Sequence, residues 1–357
     1  MKISAGELAE ALREIGACPE ARDILLAALL RIEPLLEQTD FDVREQVTGP
    51  VCDALHVPAQ PITRTLADGT VMSARYASKI ARDFVMAAEA QPDHVWEPQT
   101  TRALLALGAR ARHVVVGGAY IGDHAVLLAR QIAGRGIVHC FEPGVENLAL
   151  LRLNLASNGI TNVAVNGQGL WSSSTTLSLT GNDCLASPAE DAGGRIDATS
   201  IDLYADQCGI EAIDLIMLDI EGGELEALRG ASAFLSRPPP EAPVVVFEVH
   251  SLYVDWSQGL RAAGPVALLI AHGYSVFALR DYHSNVAMAG APIELIPADD
   301  VWLEGPPHGF NMLAVKDVNL LDPALFHFVS GVSPKLLRHR SPGYHAPLYP
   351  ERTSAGG

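Results

Sequence analysis

The stretch His113-Val-Val-Val-Gly-Gly-Ala-Tyr-Ile-Gly-Asp-His124, followed by the apolar run Ala125 to Ile132, decides the fold. A run of β-branched residues ends in glycines and gives way to helical spacing, the pattern of a buried strand, a tight turn and a helix N-terminus. Gly118 and Gly122 admit backbone angles and close approaches that a Cβ forbids, and a helix opening near Gly122 offers unpaired N–H groups. A second strand, Gly136 to Phe141, ends on Glu142. An acid at that place is what a dinucleotide-type fold uses to hold a ribose diol, so Glu142 is the candidate ribose ligand.

A glycine turn also closes plain strand–helix corners, and it is the acid after the second strand that points to a nucleotide-type cofactor. Pyridine nucleotides and S-adenosylmethionine both fit that pattern. A dehydrogenase calls for a full G-x-G-x-x-G and a downstream proton relay. The nearest Tyr and Lys, Tyr76 and Lys79, come before the turn instead.

Outward from this stretch, strands are expected near 113–117, 137–141, 162–166, 214–218 and 243–249, with helices between them, including Val145 to Asn158 and Leu225 to Leu235. The alternation means a parallel sheet covered by helices on both faces. Gly273 to Leu279 and Asn311 to Val315 are two further candidate strands, joined by a long connection. Before the sheet, residues 1–94 read as helices plus a hairpin, Ile62 to Tyr76, turning at Asp68-Gly69. The helix from Glu20 to Leu36 is apolar over more than one face, which suits packing on the main domain or a homodimer through the N-terminal helices. Residues 95–319 form the cofactor-binding domain, and 320–357 a tail that wraps it.

The 357 residues, 48% hydrophobic and 19% charged, suffice for one α/β core and an appendage. A net charge of -17 argues against nucleic acid as a partner. No apolar stretch reaches membrane-spanning length, and acids in Met1 to Gly16 argue against a secretory signal. Cys18, Cys52, Cys140, Cys184 and Cys208 are odd in number and lack C-x-x-C spacing, which favours a reducing cytoplasm.

Chemistry concentrates at two more strand ends. Ile213 to Leu218 runs into Asp219-Ile-Glu221-Gly-Gly-Glu224, and Val244 to Phe247 into Glu248-Val-His250. In doubly wound sheets the carboxyl ends of strands form the ligand crevice, and alternation puts Glu248 and His250 on one face. Asp219, Glu221, Glu248 and His250 are therefore the candidate catalytic groups. Asp219, Glu248 and His250 are also the candidate ligands of a divalent metal such as Mg.

The order Trp-Glu97-Pro, Gly-Gly-Ala-x-Ile-Gly-Asp-His, Phe-Glu-Pro-x-x-x-Asn147, Asp-Ile-Glu-Gly-Gly-Glu and Val-Phe-Glu-Val resembles the FkbM family of S-adenosylmethionine-dependent methyltransferases over about residues 95–316. The resemblance implies a Rossmann-like class I methyltransferase sheet of seven strands, the last antiparallel, and methyl transfer, usually to a hydroxyl of a sugar or secondary metabolite. It places Gly118, Tyr120, Gly122, Asp123 and His124 at the methionine end of the cofactor, Glu142 at the ribose with Asn147 in support, and Trp171 as a candidate adenine wall. Where the family usually has an Asp on the first strand this chain has Val116, and Tyr120 stands where an Asn is common. The missing acid's work passes to Glu97 or Asp219, the nearest candidates by motif order. Tyr282, His283, His308 and Asn311, in two segments flanking the long connection, suit a polar acceptor.

The expected function is O-methylation of a small-molecule hydroxyl by a cytoplasmic enzyme. The alternatives are N-methylation of a peptide or amine, and a non-catalytic binding protein on a decayed methyltransferase fold.

Overall fold

A computed structural model describes residues 4–36, 41–57, 60–76, 79–87, 91–180, 187–189, 195–303, 309–338 and 340–349. The hairpin consists of β1 (Pro61–Thr65) and β2 (Val71–Arg75). The cofactor-type strands are β3 (His113–Gly117), β4 (Ile137–Phe141) and β5 (Val163–Asn166). A separate small sheet follows, made of β6 (Gly169–Leu170), β7 (Thr175–Thr180), β8 (Ser187–Ala189) and β9 (Arg195–Thr199). The main sheet resumes with β10 (Leu215–Leu218), β11 (Val244–Val249), β12 (Ser275–Leu279), β13 (Ile293–Pro297), β14 (Phe310–Val315) and β15 (Phe326–Phe328).

The main sheet has the order β15-β13-β12-β14-β11-β10-β3-β4-β5. β3, β4, β5, β10 and β11 are parallel, whereas β14 runs antiparallel between β11 and β12. From β5 to β12 this is the class I methyltransferase arrangement. The sheet has nine strands rather than seven, because β13 and β15 extend it beyond β12. β13 lies inside the long connection between Leu279 and Asn311, where no strand is expected. Its sequence, Ile-Glu-Leu-Ile-Pro, hides a strand because the one charged residue, Glu294, is itself buried against Arg280. β15 lies past residue 319, so the sheet continues into what the sequence assigns to the tail.

Each strand splits its side chains between two cores. Val114, Val116, Leu215, Met217 and Val246 join the core under the helices Pro98–Gly108, Ala125–Gln131 and Val145–Ser157. Val115, Ile216, Leu218, Val245 and Phe247 join the core under Ile201–Cys208, Glu224–Arg229 and Gly264–Ala271. The helix expected over Leu225 to Leu235 is broken at Gly230, whose missing Cβ leaves room for the Trp171 carbonyl, 2.2 Å from where a Cβ would stand. Connections leave β3 toward β4 on one side and reach β10 on the other, so the crevice opens above the ends of β3 and β10.

The N-terminal hairpin is tied to this crevice by two asparagines. Asn154, fully buried, accepts from the N–H of Ser73 at 2.8 Å and donates to the carbonyls of Ser73 (3.0 Å) and Ile121 (2.8 Å). Asn158 repeats the pattern on Val71. The two amides thus continue the hydrogen-bond ladder of β2 onto a helix and hold the glycine turn from below. Asn154→Ala strands three buried backbone groups and is expected to cost about 2–3 kcal/mol in urea unfolding, with the hairpin amides losing hydrogen-exchange protection first.

The C-terminal segment is fastened by one buried ion pair. Arg280 pairs with Glu294 and donates to the carbonyls of Ser333, Tyr344 and Ala346, while Glu294 accepts from the N–H groups of Leu348 and Tyr349. On the N-terminal helices Leu26 and Leu29 are buried but Leu8, Ile24 and Leu35 remain exposed. Among the described residues no helix is long and apolar enough to cross a membrane.

Candidate active site

The glycine turn is closed upon itself. Gly118 and Ala119 both donate to the Phe141 carbonyl at 3.0 Å, and Gly122 donates to Ala119 at 2.7 Å. The helix after it begins only at Ala125 and spans seven residues. The N–H groups of Gly118, Ala119 and Gly122 are therefore used inside the turn, ahead of that helix start. Gly118 has φ of 72° and lies so close to β10 that a Cβ would stand 1.7 Å from the Asp219 carbonyl oxygen. Gly122, with φ of 90°, faces Leu151 and Val126 rather than the crevice, so its role is to seat the turn on the core.

Glu142 lies directly after β4 and is buried. Its carboxylate accepts from the N–H of Tyr120 at 2.9 Å and of Gly144 at 2.7 Å, with the Asn147 side chain as a third donor. Burial pushes its pKa up to about 7 against the pull of those donors. The acid thus braces the glycine turn and the turn after β4 at the rim of the crevice.

A second cluster gathers around Glu97, which is buried and left-handed at φ 47°. Asn311 on β14 donates to it at 2.7 Å, His283 Nε2 lies 3.3 Å away and His124 Nε2 3.6 Å away. Burial alone would raise the Glu97 carboxyl, but His283, His124 and Asn311 outweigh it and hold it below its ordinary value. The Thr101 hydroxyl spends its proton on the Trp96 carbonyl at 3.0 Å, so it accepts from Nδ1–H of His124 at 3.2 Å. Burial pushes His124 down, yet Asp123, Glu97 and Asp219 together push it up to about 9, so the ring is an imidazolium at neutral pH. Its Nε2 is buried, faces Glu97 at 3.6 Å and has no partner within hydrogen-bond distance among the described residues. Asp123 lies 3.9 Å from that nitrogen, and burial raises its pKa.

The third cluster is acidic. Oxygens of Asp219, Glu221 and Glu248 lie within 4.8 Å of one another, all three residues half-buried. Burial, then mutual repulsion, raises Asp219 and Glu248 well above the carboxylate range. Glu221 is left-handed at φ 52° and takes a hydrogen bond from Tyr253, whose ring lies where a Cβ of Gly222 would stand. Glu224 is turned inward, accepting from the N–H of Ile220 at 3.0 Å and of Gly222 at 3.1 Å, and so shapes the loop that presents Asp219 and Glu221. His250 is not part of the converging set. Its Nδ1 accepts from the N–H of Leu252 at 3.1 Å, and its ring rests 5.4 Å from Tyr253, which leaves Glu221 as the third converging acid.

Glu97, Tyr120 and Glu221, non-glycine residues with left-handed φ of 42° to 52° among the described residues, belong to these clusters. Backbone strain of about 1–3 kcal/mol at each is the kind that persists where a site needs it.

The remaining candidates separate. Trp171 packs beside Gly223 and Gly230, along the Asp219–Glu224 loop. Tyr282 packs against the small apolar group of Met288, Ala291 and Leu336. Asn311 and His283 turn toward Glu97, and His308 lies outside the described residues. Asp281, which the sequence marks only as part of a loop, caps the helix Pro98–Gly108 by accepting from the N–H of Gln99 (3.0 Å) and Thr100 (2.7 Å), and burial pushes it up to about 7. Nothing local signals that role, since donor and acceptor are 182 residues apart.

Residues 117–275 match the family model described as the methyltransferase FkbM domain, a span that runs from the glycine turn through the acidic loop to the start of β12. That segment is similar to the methyltransferase FkbM domain. The FkbM match takes in Glu142, Asp219, Glu221 and Glu248, whereas Glu97 and Asn311 come from either side of it. Among solved structures, the chain is similar to the methyltransferase FkbM from Methylobacillus flagellatus KT, at 19% identity over 58% of this chain and 44% of that one, with a TM-score of 0.36. It thus spans less than half the length of that protein. It is also similar to a putative O-methyltransferase from Klebsiella pneumoniae, at 14% identity over 61% and 79% with a TM-score of 0.33, and to the O-methyltransferase from Bacillus cereus in complex with SAH, at 14% over 61% and 80%, also 0.33. No curated protein matches the chain.

Proposed function

We propose that this FkbM domain transfers a methyl group from S-adenosylmethionine to a hydroxyl of a small molecule. The observation that carries the reading is Glu142, a buried acid at the end of the second strand of the sheet, braced by the turn whose Gly118 leaves no room for a Cβ. A ribose diol donates two hydrogen bonds and needs such an acceptor. The buried Nε2–H of His124, with no acceptor at hydrogen-bond distance among the described residues, and Glu97 beside it suit an amino acid's carboxylate and ammonium, and so take over from the acid missing at Val116. Val116 itself is in the core, only 2% exposed, so that position serves packing.

Bound there, S-adenosylmethionine supplies an electrophilic methyl that the acceptor oxygen takes as the carbon–sulfur bond breaks and its electron pair returns to sulfur. The residues must place the acceptor hydroxyl and remove its proton. Glu248 and Asp219, carboxylates to which no described residue donates, are the bases within reach of the crevice. Labelled S-adenosylmethionine carrying a deuterated methyl, incubated with metabolite extracts, should give a product bearing the label on oxygen. Label on nitrogen, or none in any product, would sink the hydroxyl reading.

The pKa of Glu142 gives this reading a pH signature. Hydrogen bonds donated by a ribose favour the ionised carboxylate, so binding expels the proton that burial holds up to about pH 7. Affinity for S-adenosylhomocysteine should be flat above about pH 8 and fall roughly tenfold for each unit below 7. Titrations between pH 5.5 and 8.5 would show it. A flat profile would mean that the carboxylate does not meet the ligand.

A further inference from the structure

Asp219, Glu248 and Asn311 occupy one row across three neighbouring strands. Leu218 on β10 pairs with Phe247 on β11, which brings the next residues, Asp219 and Glu248, side by side. Glu248 pairs directly with Asn311 on β14. All three project to the face covered by the helix Pro98–Gly108, opposite Leu218, Phe247 and Met312. Glu221 reaches the same spot from the loop, so that three carboxylates converge within 4.8 Å with no described cation among them. Three half-buried carboxylates repel one another when ionised, a cost that either protonation or an entering cation removes.

An independent observation on the adjoining strand points the same way. Asn311 is only 2% exposed, and its amide orientation is fixed because Nδ2 donates to Glu97 at 2.7 Å and lies 3.2 Å from Thr100 Oγ1. The other amide atom, the oxygen, is buried and has no donor among the described residues. A buried carbonyl beside a carboxylate, both lacking donors among the described residues, is complementary to a metal ion. The next loop also makes way, since a Cβ on Gly309 would stand 1.7 Å from Glu248 Oε1.

We infer that Asp219, Glu221, Glu248 and the Asn311 carbonyl bind one divalent cation of the hard, oxygen-ligated kind. The donor set is all oxygen, with no thiolate or imidazole, which favours Mg, Mn or Ca over Zn. Placed there, the ion lowers the pKa of an acceptor hydroxyl and leaves its proton to a ligating carboxylate or water. That role rests on the methyl-transfer reading, whereas binding of the ion does not.

The full chain, stripped with chelator and dialysed, would be titrated with Mn2+ by calorimetry and by electron paramagnetic resonance of the free ion. S-adenosylhomocysteine binding would be measured in parallel in the presence of chelator. One Mn2+ per chain is expected, with at least tenfold weaker affinity in Glu248→Gln and in Glu221→Gln. Displacement by Mg2+ or Ca2+ is expected as well. Wild-type protein that binds no Mn2+ stoichiometrically overturns the site, as does an affinity unchanged in both variants. An equal loss in His250→Ala overturns this ligand set. If S-adenosylhomocysteine binding persists in chelator while Mn2+ fails, the cation falls and the methyltransferase reading stands.

Discussion

Gly118→Ala is expected to abolish cofactor binding and to destabilise the fold by an amount on the order of 4 kcal/mol. Two penalties add. The residue holds φ of 72°, where a Cβ costs about 1–2 kcal/mol. The larger penalty is steric: the new carbon would stand 1.7 Å from the Asp219 carbonyl oxygen, which is backbone and cannot swing aside. β3 and β10 would have to part at the crevice, breaking the Asp219 N–H bond to the Gly117 carbonyl, now 3.0 Å. Urea unfolding and S-adenosylhomocysteine titration of the variant give the two readouts. The contrast is Gly134→Ala, also at positive φ (77°) but with nothing within 4 Å of its Cβ, which should show only the conformational penalty and keep its ligand. Equal behaviour of the two variants would show that the close approach at Gly118 is unimportant.

Glu142→Ala carries the second large effect. Two hydrogen bonds from a diol to a buried carboxylate contribute about 1.5–3 kcal/mol each, so their loss predicts at least a hundredfold weaker binding of S-adenosylhomocysteine. The variant also frees the N–H groups of Tyr120 and Gly144. Glu142→Gln separates the two contributions, because its amide oxygen still accepts one of these N–H bonds while the charge is gone. The Gln variant should fold near wild-type stability, bind at least tenfold weaker, and lose the pH dependence centred on 7. If it retained that dependence, another group would be the titrating one.

The sheet was largely legible because its strands are runs of Val, Ile and Leu ended by glycine or acid. β3 and β4 begin and end where the residues say, and β5, β10 and β11 within a residue or two. β13 was hidden by Glu294, whose partner Arg280 lies 14 residues earlier and becomes visible only when the strands pair. The small sheet of β6 to β9 was hidden for a different reason: Thr175 to Thr180 and Arg195 to Thr199 do alternate, but with only two apolar residues each, Leu177 and Leu179 or Ile196 and Ala198, among polar neighbours, too short a signal to stand out.

The site shows the same division. Glu142, Asp219 and Glu221 follow strand ends and Glu248 is the last residue but one of β11, where topology alone puts them at the crevice. The work of Asp281, Asn154 and Asn311 depends on contacts between distant segments, with partners 81 to 214 residues away, and no spacing rule encodes it. The sequence also places unpaired N–H groups at the helix after Gly122. The turn before that helix satisfies donors of its own, those of Gly118, Ala119, Tyr120 and Gly122, through Phe141, Ala119 and Glu142.

The most direct measurement is calorimetric titration of the full chain with S-adenosylhomocysteine at pH 8, with NADH as the parallel ligand. One site per chain, micromolar affinity and no response to NADH are expected if Glu142 and the glycine turn hold the cofactor. Absence of binding at pH 8, with and without added Mn2+, or preferential binding of NADH, would contradict that assignment.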